Sequence, residues 1–190
     1  VAIGVIHPGS GNLTSLCDAF DRLKRPYRLC QDPADLTDIH LLVLPGQGRF
    51  GPVASYLRLH GWAEKLGQWL SEDRPFLGIC VGMQVLFECS EEDPQVPGLG
   101  LLQGRLKRLD VLPLPMMGWA EVAWQEPGWP TGMAYFVNSY VLPDSPHCLA
   151  TTAHGNGFCS AIRRGRSLAF QFHPEKSGPW GKEVLAQCLA

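Results

Sequence analysis

The chain opens on an unbroken apolar stretch, residues 1–6, which predicts a strand buried on both faces. A loop with Gly9 and Gly11 follows, and Ser10 or Asn12 is placed to cap the next element. Leu13, Leu16, Cys17, Phe20 and Leu23 then recur at spacings of three and four, as a helix with one face on the core requires. Residues 27–30 and 41–44 predict two more strands, and 45–52 a glycine-rich loop. Residues 53–72 predict a helical stretch, 76–79 a further buried strand, and 81–88 helix again. Strand and helix alternate throughout, the pattern of a parallel sheet with helices on both faces.

Beyond Glu88 the rhythm shortens. Residues 104–109, 121–124, 135–137, 148–152, 158–162 and 168–172 predict short strands separated by turn residues, and 182–189 a closing helix. They read as hairpins and edge strands added to the first sheet. With no internal repeat, low-complexity tract or linker, the expectation is one domain over residues 1–190. The fold class is α/β: three layers, a mostly parallel central sheet with helices on both faces, and antiparallel strands added in the second half.

Composition narrows the function classes. Of 190 residues, 45% are hydrophobic and 18% charged, as in a globular domain. The net charge is −2 and the densest basic cluster is Arg163, Arg164 and Arg166, so nucleic acid is not an expected partner. No apolar run approaches the ~20 residues of a membrane span. Residues 1–6 are too short for a signal segment and lack a charged flank. Seven cysteines, with no CxxC pair and no Cys/His spacing suited to zinc, point to free thiols in a reducing cytoplasm, with no metal and no cofactor.

One of those thiols stands apart. Gly78, Ile79, Cys80, Val81 and Gly82 lie where the strand 76–79 gives way to helix. A nucleophile on such a turn is lifted clear of the sheet, and glycines two residues to either side let helix and strand pack closely. The N–H after the nucleophile points to where an oxyanion forms, and the helix N-terminus favours a thiolate. A buried, inert cysteine is the competing reading.

A thiolate nucleophile needs a base and a group to orient it. Of six histidines, His173 follows the strand end Phe170, Gln171, Phe172 and precedes Pro174 and Glu175. A residue before proline is held extended, and side chains two apart in extended chain lean the same way. Glu175 can then accept from one ring nitrogen of His173 and leave the other for Cys80. A surface His and Glu after an edge strand is the alternative. The third piece is Pro45, Gly46, Gln47, Gly48, Arg49, Phe50 and Gly51, directly after the strand 41–44. Such a loop lies at the ligand-binding edge of a parallel sheet and offers N–H groups to an oxyanion. It lacks the Lys-Ser/Thr ending of a phosphate loop. Together the three pieces describe acyl transfer through a thioester.

These residues resemble the class I, or triad, glutamine amidotransferases. Gly78-Ile79-Cys80-Val81-Gly82 is similar to their nucleophile elbow, His173-Pro174-Glu175 to their His-x-Glu ending, and the loop 45–48 to their oxyanion strand. The nearest subgroup is the glutaminase subunits of imidazole glycerol phosphate synthase. It is suggested by the motifs at 11–13, 45–50, 82–84, 86–88, 98–100, 117–119, 135–140 and 173–177, nearly the whole chain. The resemblance implies Cys80 as nucleophile, His173 as acid and base, and Glu175 as its orienter. It implies Gly46, Gln47, Gly48 and Val81 around the oxyanion, and Gln84, Asn138, Ser139 and Tyr140 around glutamine. It also implies a (β/α)8 cyclase subunit as partner, met through Asn12, Met117 and Trp119. Three positions depart from the subgroup: Asn138 stands for its usual His, Ala120 for an Asn, and Ala153-His154-Gly155 for a Tyr-Gly. Three readings compete: the glutaminase of another synthase such as the pyridoxal phosphate one, a stand-alone γ-glutamyl hydrolase, and a non-catalytic regulatory subunit.

Overall fold

The computed structural model describes residues 2–7 and 13–189; the expected loop with Gly9, Ser10, Gly11 and Asn12 lies outside them. The elements are β1 (Ala2–Ile6), α1 (Thr14–Arg22), β2 (Tyr27–Cys30), β3 (Ile39–Leu44), α2 (Phe50–Leu59), α3 (Trp62–Ser71), β4 (Phe76–Ile79) and α4 (Val81–Gln84). They continue with β5 (Cys89–Ser90), β6 (Arg105–Arg108), β7 (Met116–Trp124), β8 (Gly132–Asn138), β9 (Tyr140–Val141), β10 (Cys148–Thr152), β11 (Phe158–Arg164), β12 (Ser167–Phe170) and α5 (Gly178–Cys188).

A nine-stranded sheet in the order β2-β1-β3-β4-β12-β11-β10-β7-β8 forms the centre of this α/β fold. The strands from β2 through β12 pair in parallel, and those from β12 to β8 antiparallel. The unbroken apolar runs occupy the middle of the parallel part, and β4 is buried at every position. A small second sheet joins β5, β6 and β9. No helix among the described residues is long and apolar enough to cross a membrane.

Three helical expectations shift for local reasons. The stretch 53–72 is two helices, because Gly61 takes φ 74° between α2 and α3. The first of them begins at Phe50, inside the expected loop, with Pro52 in its first turn, where a missing N–H is harmless. Helix 81–88 is one turn, α4. Its continuation loses carbonyls to a neighbouring segment: Leu99 N–H takes Val85 O at 2.8 Å, Leu101 and Leu102 share Leu86 O at 2.9 and 3.0 Å, and Gly100 takes Phe87 O at 3.2 Å. The glycine of that segment that comes nearest, Gly98, would carry a Cβ only 2.0 Å from Phe87 O.

What positions the site is the adjacency of β3, β4 and β12. All three run parallel, so their carboxyl ends open on one edge of the sheet. Phe170 of β12 pairs with Ile79 of β4, which sets the residues after Phe170 beside Cys80. Stacking of Phe170 on Phe172 at 4.8 Å, and a tilted contact of Phe172 with Trp180 at 5.5 Å, anchor that segment in the core.

Candidate active site

Cys80 sits at φ 50°, ψ −111°, a strained conformation for a residue with a Cβ, between β4 and α4. Its N–H is tied to Phe170 O at 2.7 Å, and its own carbonyl accepts from Met83 and Gln84 at 2.9 and 3.0 Å. The flanking glycines are steric necessities. A Cβ on Gly78 would lie 2.8 Å from Gly82 O, and one on Gly82 would lie 2.0 Å from Leu44 O. Gly46 presses on the same turn, where a Cβ would meet Ile79 O at 1.7 Å and Val81 N at 2.4 Å. As the first residue of α4, Val81 has no intrahelical partner for its N–H.

His173 is buried, 4% exposed, and its Nδ1 lies 2.7 Å from Glu175 Oε1. The alignment does not come from two residues of extended chain. His173 is extended, but Pro174–Lys176 closes into a single 3₁₀ turn, and Glu175 reaches back from within it. Burial alone would lower the proton affinity of His173; the influence of Cys80 and Glu175 outweighs it and raises the pKa to about 10.

A cavity of about 320 Å³ opens beside these groups. Its walls include Gly46, Gln47, Gly48, Cys80, Val81, Gln84, Asn138, Ser139, Tyr140 and His173, so residues from separate stretches of the sequence meet there. Gln84 spends its amide N–H groups on Tyr140 O at 3.0 Å and Gln171 Oε1 at 2.9 Å. Asn138 Nδ2 donates to the same Tyr140 carbonyl at 3.3 Å, while its Oδ1 is buried without a partner. Met117 and Trp119 lie apart from the cavity wall on β7, 66% and 53% exposed, and Asn12 lies outside the described residues.

Sequence reasoning missed Glu92, Pro115, Val137 and Lys176, which also line the cavity, and Gln171 behind it. Glu92 and Asp93 hold the start of α2: Glu92 Oε2 accepts from Phe50 N at 3.0 Å, and Asp93 accepts from Gly51 N at 2.9 Å and Arg49 Nη2 at 2.7 Å. As an acidic turn these residues carry no distinguishing signal in sequence. Gln171 does carry one, a lone amide in an apolar run. Among the described residues no group of three or more His, Cys, Asp or Glu side chains could hold a metal ion.

Residues 9–190 match the glutamine amidotransferase class-I family. The chain belongs to that family. It is therefore a glutamine amidotransferase, and the elbow, the His-Glu pair and the cavity are this family member's own geometry. Among its relatives, imidazole glycerol phosphate synthase subunit HisH of Synechococcus sp. (strain JA-3-3Ab) is 42% identical, with 97% of this chain and 91% of that one covered. The subunit of the same name from Thermus thermophilus is 43% identical over 96% of this chain and 93% of that one. Among solved structures, a glutamine amidotransferase crystal structure superposes with a TM-score of 0.81 at 20% identity, covering 98% of this chain and 96% of that one. That likeness speaks for the fold.

Proposed function

We propose that this amidotransferase is the glutaminase subunit of an imidazole glycerol phosphate synthase, with Cys80, His173 and Glu175 as its triad. The observation that carries the reading is the buried His173–Glu175 pair at 2.7 Å, with His173 on the same cavity wall as a cysteine on a positive-φ elbow. The Cys80 thiolate attacks the side-chain amide carbon of glutamine. N–H groups of Val81 and of the Gly46–Gly48 loop receive the oxyanion. The C–N bond breaks as His173 gives its proton to the departing ammonia, leaving a γ-glutamyl thioester. Acylation removes the negative charge from sulfur and with it part of what raises His173, so the ring becomes a base. It takes a proton from water, the hydroxide attacks the thioester, the sulfur leaves as thiolate and glutamate is released. Asn138 lines the cavity, and its amide can both donate and accept, so it is the side chain we assign to the polar groups of glutamine.

The ammonia passes to a cyclase subunit, a (β/α)8 barrel, which makes imidazole glycerol phosphate and aminoimidazole carboxamide ribotide. Support comes from the HisH relatives, named as subunits of that synthase, and from the exposed apolar side chains on β7. Gly48, at φ 110°, gives the oxyanion loop freedom to hold its peptide in more than one orientation. A missing oxyanion donor costs about 10²–10³ in kcat, so a partner that favours the competent orientation switches the site on. The test is glutamate release by the chain alone, with the cyclase subunit, and with both subunits plus an acceptor analogue. Slow release alone and fast release in the last arm are expected, with a glutamine-like electrophile labelling Cys80. Full activity of the chain alone would instead make it a stand-alone hydrolase.

A further inference from the structure

The segment that leads into His173 is apolar except at one position. Gln171 stands between Phe170 and Phe172 and is fully buried, 0% exposed. An amide there is strongly disfavoured unless both of its ends are bonded. Phe170 and Phe172 stack together on the core side, while the Gln171 side chain faces the elbow. Its Nε2 lies 3.6 Å from Cys80 Sγ, and its Oε1 accepts from Gln84 Nε2 at 2.9 Å.

The direction of these bonds follows from elementary chemistry. The Tyr140 carbonyl can only accept, and it receives Gln84 Nε2 at 3.0 Å and Asn138 Nδ2 at 3.3 Å. Gln84 must therefore turn its NH₂ inward, and its second N–H falls on Gln171. Gln171 must answer with its carbonyl oxygen, which leaves its own NH₂ facing sulfur. That group can donate to Cys80 and cannot accept from it. A thiolate gains from such a neighbour far more than a thiol does. His173 lines the cavity with the same cysteine, and its Nδ1 is engaged by Glu175.

We infer that Gln171 is a catalytic residue whose Nε2–H bonds to the Cys80 sulfur and holds it as thiolate, its orientation imposed by Gln84 and the Tyr140 carbonyl. The inference rests on Cys80 being the nucleophile. Gln171 is not part of the cavity wall, so this bond reaches the sulfur from inside the protein and leaves the substrate face open. It serves twice in the cycle: before attack, and again when the thioester breaks and charge returns to sulfur.

The experiment is alkylation by iodoacetamide at neutral pH on the full chain, followed residue by residue by peptide mass mapping. Gln171→Met keeps the length and removes the donor, and the rate at Cys80 should fall about tenfold. Gln171→Glu puts an acceptor against the sulfur and should fall further. The half-buried Cys148 is the internal standard and should react unchanged. In the complex, kcat should drop by a similar factor with KM little altered. Cys80 rates within about twofold of the parent protein in both variants would overturn the inference. Should neither variant fold, the Gln171 Nε2–H resonance of the parent decides: it should move when Cys80→Ala removes the sulfur, and an unmoved resonance overturns the assignment. Alkylation needs no glutamine, so its outcome is separate from whether glutamine is hydrolysed.

Discussion

At His173 two opposing effects meet: burial, which disfavours the charged ring, and the neighbours Cys80 and Glu175, which favour it and win. A histidine raised in this way contributes stability that is fully present below its unfolded value of 6.5 and is lost as pH rises through about 10. In the proposed mechanism the same proton is delivered to ammonia, so kcat/KM in the complex should fall on the alkaline side as it is lost. Glu175→Gln removes one raising influence and leaves burial in place; the alkaline limb should move to lower pH in a measured pH–rate profile. On the pattern of other triads, Glu175→Gln should lose on the order of 10⁴ in kcat and His173→Ala on the order of 10⁶. Equal losses in folded proteins would contradict an orienting role for Glu175. Asn138 offers a separate test through its place on the cavity wall. Asn138→Ala should lower kcat/KM for glutamine by about tenfold, the worth of one hydrogen bond, while Asn138→His restores an acceptor. An unchanged kcat/KM for the alanine variant would reduce the position to packing.

At the scale of elements, the site is a contact between the ends of β3 and β4 with no room for side chains. Gly46, Gly78 and Gly82 each face backbone within 3 Å of where a Cβ would stand. Backbone cannot move aside as a side chain can, so Gly82→Ala must push α4 away from Leu44 O. The expected cost is about 3 kcal/mol, a fall of roughly 6–12 °C in Tm by calorimetry for a chain of this size. A Tm within a degree or two of the parent would show that the elbow is looser than its geometry implies. A second element-level contact ties the oxyanion loop to the turn after the elbow: Asp93 binds both Gly51 N–H and Arg49. It couples the start of α2 to the cavity wall at Glu92.

For the molecule as a whole, the proposed function is tested on strands β7 and β8, where we place the partner surface. Met117, Trp119 and Met133 are large, apolar and 66%, 53% and 49% exposed. Met117 pairs with Val137 and Trp119 with Tyr135, so this stripe runs along one sheet face to Val137 at the cavity. Aromatic anchors of this kind dominate interface energies. Trp119→Glu should therefore raise the Kd for the cyclase subunit by at least about thirtyfold in a titration, the factor that corresponds to ~2 kcal/mol. The Tm of the isolated chain should barely change, because the side chain is half exposed. Unaltered affinity would move the interface elsewhere.

Much of this was legible in the residues themselves. Apolar runs bounded by turns marked β1, β3 and β4, and glycine spacing marked the elbow, because both depend on neighbours in sequence. The pairing of His173 with Glu175 was read from two positions of chain, although a 3₁₀ turn rather than extended backbone makes it. Helix lengths were not legible where a distant segment competes for carbonyls, as the residues around Leu99 do beyond α4. Nor was the place we infer for Gln171, which depends on Cys80 and on Gln84, itself held by the Tyr140 carbonyl. The sequence by itself determined which groups are chemically able to act. Which of them meet was decided by the parallel pairing of β12 with β4, a long-range choice made by whole buried faces, which no local pattern encodes.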